Sequence, residues 1–163
     1  MSELGDIYQE IILDHNRKPR NFRVMQEANR RAAGVNPLCG DEVIVFMNVE
    51  GDVVQDVSFQ GRGCAISKAS ASLMTASIKG KSVAEVSELF RRFHELVTAD
   101  ADDDARADAP ALGKLAVFGG VRRFPVRVKC ASLPWHTMQA ALEQKDEAVT
   151  TELMTDSGGD RER

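Results

Sequence analysis

Apolar residues first recur at helical spacing. Leu4, Ile7, Tyr8, Ile11 and Ile12 predict an amphipathic helix from Leu4 to Asn16, stopped at Lys18-Pro19-Arg20-Asn21. A polar stretch follows, then Gly34-Val35-Asn36-Pro37-Leu38-Cys39-Gly40-Asp41, where Pro and Gly bracket a cysteine and predict a loop or tight turn. From Glu42 to Val49 the period changes to two. Val43, Val45 and Met47 fall on one face and Ile44, Phe46 and Asn48 on the other. Glu50-Gly51-Asp52 supplies a turn into a second strand, Val53 to Gln60, so the two form a hairpin.

Helical spacing returns after Gly61-Arg62-Gly63-Cys64. Ile66, Ala69, Leu73 and Ala76 stripe a helix over 65–79, whose alanines and serines allow close approach of another element. Ser82-Val83-Ala84-Glu85 is a capping box opening a third helix, with Val83, Val86, Leu89, Phe90, Phe93 and Leu96 as its buried stripe. Asp100, Asp102, Asp103, Asp104 and Asp108 mark a solvated linker or surface loop. Pro110 to Phe118 reads as a short helix closed by Gly119-Gly120. The last helix spans about Pro125 to Gln144 and should kink at Pro134, which frees the carbonyl of Cys130. The expected organisation is one domain over 1–150 with a polar, disordered tail over 151–163. Helix, strands, then helices predict an α+β fold: a small antiparallel β-sheet with helices packed on one face.

Bulk properties narrow the function. The 163-residue chain has a net charge of −4, which disfavours a nucleic-acid backbone or an anionic membrane as main partner. No apolar run is long enough to span a bilayer. Met1 to Glu10 lacks the pattern of a secretory signal, so a cytoplasmic location is the default expectation. Three cysteines without an export signal argue against a disulfide framework and leave inert buried thiols, a reactive thiol or metal ligands.

The neighbours of each cysteine favour metal. Cys39 and Asp41 are two apart, so in extended chain both point to one side. Cys64 stands at a predicted helix start, where amides and the macrodipole stabilise a thiolate. Cys130 follows two cations, Arg127 and Lys129. Three thiolates and one carboxylate make a tetrahedral set for zinc, and thiolates favour Zn, Fe and Cu(I) over Mg or Ca. The spacing is not that of a zinc finger, and inert core is the competing reading for each thiol. Arg127 lies one turn before Cys130 and is expected to pair with Asp41 or to steady the thiolate charge. His15 reads as a surface or capping residue, and His94 and His136 as ordinary helix residues, not ligands.

Three motifs, in order, carry a resemblance. Asn36-Pro37-Leu38-Cys39-Gly40-Asp41, Gly61-Arg62-Gly63-Cys64-Ala65-Ile66-Ser67-Lys68 and Arg127-Val128-Lys129-Cys130-Ala131-Ser132-Leu133-Pro134-Trp135 resemble the SufU family, within the wider group of iron–sulfur scaffold-like proteins that includes IscU. The segment Tyr8 to Asn21, with Asp14-His15-Asn16-Arg17-Lys18-Pro19-Arg20-Asn21, matches the same group, and the likeness covers roughly residues 4–145. Where IscU-type scaffolds carry a histidine before the third cysteine, this chain has Lys129. Its longer stretch between the second and third cysteines also resembles SufU.

The resemblance implies a SufE/NifU-like fold with a mobile ligand loop, and Zn2+ on Cys39, Asp41, Cys64 and Cys130. It also implies sulfur transfer. A pyridoxal-phosphate cysteine desulfurase of the SufS type offers a persulfide, a histidine of that enzyme replaces one cysteine on the zinc, and the freed Cys39 accepts the sulfur for downstream Suf scaffold proteins. The alternative is a scaffold that carries iron or a transient iron–sulfur cluster.

Overall fold

The computed structural model describes residues 3–37, 40–98, 113–143 and 149–150. Helix α1 (Glu3–Arg17) leads into strands β1 (Arg30–Asn36), β2 (Asp41–Glu50) and β3 (Val53–Arg62). Helices α2 (Ala65–Ile78) and α3 (Val83–Thr98), a 3-10 helix (Gly113–Arg123), helix α4 (Pro125–Leu142) and a two-residue strand β4 (Val149–Thr150) follow. The sheet order is β3-β2-β1-β4. The three long strands are antiparallel, and the helices pack on one face of them, as expected. β4 adds a short parallel pairing at Gly34 and Val35 that the sequence pattern did not predict.

The hairpin forms where the change of period placed it. Gly51 takes φ +62 in the turn, and Glu50 pairs with Val53. Val43, Val45 and Met47 of β2 face the core together with Val57 and Phe59 of β3. The capping box is also realised: the Ser82 amide donates to Glu85 Oε1 at 2.9 Å, and the Glu85 amide donates to Ser82 Oγ at 3.1 Å.

Strand β1 has no sequence signature. Arg-Arg-Ala-Ala-Gly-Val-Asn is poor in strand-forming residues, yet it pairs with β2 along its whole length. Its strand state is set by packing and pairing, not by intrinsic preference. Gly34 shows the constraint: a methyl group there would overlap the Thr137 hydroxyl and press within 3.1 Å of Leu133 Cδ1, both on α4. Only a residue without a side chain lets α4 lie this close to the strand.

Helix α4 is the central element, packed against β1, β2, α2, α3 and the 3-10 helix. Buried residues occupy almost every side of it from Cys130 to Ala141, so it shows no amphipathic stripe. It passes through Pro134 without interruption, held by neighbours on all sides. The close approach expected of α2 is made: Ser70 Oγ donates to the Ala131 carbonyl at 2.6 Å. Trp135 is stacked on Phe93 and Phe90, at centroid separations of 4.6 and 6.0 Å.

The segment before α4 departs from expectation. The 3-10 helix does not close at Gly119-Gly120 but runs on to Arg123. Leu115, Phe118 and Val121 are all buried at intervals of three, the repeat of a 3-10 helix, so burial continues past the glycines. Residues 110–112 and the Asp100–Asp108 run lie outside the described residues, as do 151–163. Among the described residues no helix is long and apolar enough to cross a membrane.

Gly34→Val is expected to lower stability by about 1–3 kcal/mol or more through overpacking against Leu133 and Thr137. Urea unfolding followed by circular dichroism measures it, and an unchanged midpoint would contradict the packing described.

Candidate metal centre

Three element ends converge at one edge of the sheet. Asn36 ends β1 and Asp41 begins β2, and the two are register partners across a four-residue connection. Gly40, with φ +77, donates its amide to the Asn36 carbonyl at 2.8 Å and turns the chain into β2. Leu38 and Cys39, the centre of the expected mobile ligand loop, lie outside the described residues.

Asp41 is 1% exposed. Its Oδ1 accepts the backbone amide of Cys64 at 2.9 Å, which ties the start of β2 to the start of α2. Gly63 makes this possible, because a Cβ there would stand 2.7 Å from Asp41 Oδ1. The second carboxylate oxygen, Oδ2, faces Cys64 Sγ at 3.9 Å.

Cys64 is the N-cap of α2, in extended conformation, and its Sγ accepts the Ser67 amide at 3.4 Å. This is the helix-start environment anticipated from Gly61-Arg62-Gly63-Cys64. Cys130 is fully buried in the second turn of α4, and the amide of Asn36, itself buried, lies 3.9 Å from its Sγ. One donor atom from each of Asp41, Cys64 and Cys130 lies within 4.8 Å of the others. Among the described residues this is the only such group of three or more.

The two thiols divide the charge unequally. Cys64 is held well below the usual thiol range, first by the hydrogen bond from Cys130 and then by the Ser67 amide, against the cost of burial. Cys130 is pushed up by its bond to Cys64, by burial and by the Asp41 charge. Of the two, Cys64 at the helix N-terminus is the more readily ionised. Arg127 and Lys129, expected to favour the Cys130 thiolate as well, do not offset the burial and the neighbouring charge there. Arg127 is exposed, and among the described residues no ion pair joins it to Asp41. A long side chain in the first turn of α4 can reach solvent, while the carboxylate is already satisfied by the Cys64 amide.

None of the three histidines joins the cluster. His15 is buried, not superficial: its Nδ1 lies 2.7 Å from Ser72 Oγ. His94 and His136 sit edge to face with each other and with Phe90. Burial pushes the His136 pKa down to about 4, with His94 adding to the effect.

The donor chemistry fits a thiophilic divalent ion. A tetrahedral zinc sets a carboxylate oxygen and a thiolate sulfur about 3.6 Å apart, and Asp41 Oδ2 and Cys64 Sγ stand at 3.9 Å. Two soft sulfur donors and one buried carboxylate discriminate against Mg and Ca. Sequence reasoning missed Asn36 and Ser67 as groups that touch the thiols. Asn36 had a signal in its place three residues before Cys39, whereas Ser67 acts through its backbone, which no side-chain pattern reveals.

Comparisons with known proteins identify the family. Residues 7–131 match the NifU-like N terminal domain. The zinc-dependent sulfurtransferase SufU of Bacillus subtilis is 34% identical over 145 residues, covering 89% of this chain and 95% of that protein. The iron–sulfur cluster assembly scaffold protein IscU of Thermotoga maritima is 33% identical over 138 residues, covering 85% and 94%. A crystal structure of a putative iron–sulfur cluster assembly scaffold protein for the SUF system, from Fervidobacterium islandicum, superposes with a TM-score of 0.74. It is 35% identical and covers 84% of this chain and 97% of its own. With the match spanning all of β1 to β3, α2 and the start of α4, this chain belongs to the NifU-like N-terminal domain family.

Proposed function

We propose that this chain is a zinc-dependent sulfur acceptor in iron–sulfur cluster assembly, taking persulfide sulfur from a cysteine desulfurase of the SufS type. The observation that carries the reading is the convergence of Asp41, Cys64 and Cys130 within 4.8 Å, from the start of β2, the N-cap of α2 and the second turn of α4. Likeness to the Bacillus subtilis zinc-dependent sulfurtransferase over nearly its whole length supports it. Cys39, two residues before Asp41, is assigned as the fourth ligand and as the acceptor. When bound, zinc would keep the thiols ionised without redox chemistry of its own.

The roles of the chain's own groups follow. Asp41 fixes the α2 N-terminus through the Cys64 amide, and Cys64 and Cys130 provide two sulfurs anchored by helices. Cys39 falls between the end of β1 and the start of β2, whereas Asp41 begins β2, Cys64 caps α2 and Cys130 lies within α4. In the transfer, the Cys39 thiolate attacks the outer sulfur of the desulfurase persulfide. A new sulfur–sulfur bond forms at Cys39, the bond within the donor persulfide breaks, and the electron pair leaves on the desulfurase cysteine. Charge is conserved, and no external oxidant or reductant is needed. Downstream Suf scaffold proteins are the assigned recipients.

A second reading, a scaffold that carries the iron–sulfur cluster, is favoured by the relatives named IscU. Lys129, where IscU-type scaffolds have histidine, supports sulfur transfer instead. Reconstitution with iron, cysteine and desulfurase separates the two. Stable visible absorbance would establish the scaffold, and colourless protein with about one zinc per chain would support transfer.

Cys39→Ala is expected to abolish stimulation of desulfurase turnover while part of the metal is retained by the remaining ligands. Full stimulation by this variant would exclude the acceptor role. Asp41→Ala should weaken zinc at least about tenfold, measured by competition with a chromophoric chelator, since it removes a ligand and frees the α2 N-terminus. Stripping the metal with a strong chelator should lower Tm in a scanning experiment, because the ion would cross-link β2, α2 and α4 only in the folded state.

A further inference from the structure

The segment Asp14 to Asn21 is not used by the metal centre, yet it builds a cleft beside α2. The cleft encloses about 520 Å³ between the C-terminal end of α1, α2, α3 and the 3-10 helix. Among the described residues its lining includes His15, Arg20, Lys81 and Lys114 and no carboxylate, in a chain whose net charge is −4. Leu73, Leu89 and Leu115 provide apolar wall. Neither Lys81 nor Lys114 has an ion-pair partner among the described residues, and Arg20 is shared with Asp14 at 2.8 Å.

His15 is held at the wall of the cleft. Its Nδ1 is hydrogen-bonded to Ser72 Oγ at 2.7 Å, and the Arg20 amide donates to the same hydroxyl at 2.8 Å. An anionic oxygen at Nε2 would select the tautomer with the proton on that nitrogen, with Ser72 donating to Nδ1. The imidazole is nine-tenths buried and lines the cleft, and burial lowers its pKa, with Arg20 and Lys114 adding to the effect and Asp14 opposing it. The result is an imidazole among three cations over an apolar wall.

We propose that this cleft binds the phosphate of a small organic phosphate, with His15 Nε2–H, Arg20, Lys81 and Lys114 as recognition groups and the leucines against the organic part. A phosphate monoester carries about −1.5 to −2 charge at neutral pH, which three cations match better than they match a single carboxylate. The volume falls in the range of about 300–1,000 Å³ usual for small-molecule sites. The site shares no residue with Asp41, Cys64 or Cys130, so it stands or falls apart from the sulfur-transfer reading.

The test is titration of the full, metal-loaded chain with phenyl phosphate and with inorganic phosphate, at constant ionic strength. The His15 imidazole nitrogens are followed by NMR. A saturable shift of Nε2 is expected, tighter for phenyl phosphate, and the double variant Lys81→Gln/Lys114→Gln should weaken it at least about tenfold with Tm and metal content unchanged. No saturable shift, an equal shift from sodium chloride, or undiminished binding in the double variant would overturn the proposal. Equal affinity for both phosphates would overturn the organic class assigned to the ligand.

Discussion

The contact between the Asp41 carboxylate and the Cys64 amide sets the geometry of the centre. It joins the first residue of β2 to the N-cap of α2 across twenty-two intervening residues of hairpin, and it consumes one carboxylate oxygen in doing so. The other oxygen is thereby aimed at the Cys64 sulfur. Gly63 is part of the same constraint, because the carboxylate occupies the space a side chain there would need. One buried acid thus acts as a structural clamp and as a donor, which is why its burial is tolerable at all.

Cys130 reaches this clamp by a different route. It travels on α4, and α4 is placed by contacts with both layers. Gly34 admits Leu133 and Thr137 to the sheet, while Ser70 of α2 grips the carbonyl of Ala131. Asn36 completes the arrangement by presenting its amide to the Cys130 sulfur from the end of β1. The third donor is positioned only when sheet, α2 and α4 have all assembled, which distinguishes this cluster from a locally folded zinc finger.

Much of this was legible in the chain itself. The β2–β3 hairpin, the capped α3, the small-residue α2 and the choice of Asp41, Cys64 and Cys130 as candidate ligands follow from periodicity, turn residues and neighbouring chemistry. Strand β1 was not legible, because Arg30 to Asn36 owes its conformation to β2 and α4 and not to its own residues. The 3-10 helix hid for a related reason: its period of three runs through Gly119-Gly120, a pair that ordinarily marks a stop. The difference between Cys64 and Cys130 is not visible in the sequence, where both have neighbours that favour a thiolate; depth and the Ser67 amide separate them. The burial of His15 is equally hidden, since nothing local announces a hydrogen bond to a serine 57 positions away.

The stacking of Trp135 between Phe90 and Phe93 has a practical consequence. It is the chain's only tryptophan, it is wholly shielded from water, and it lies five residues after Cys130 on the same helix. Its emission is therefore a built-in optical gauge of how tightly α4 is seated, readable without any label, at the very helix that delivers the innermost thiol.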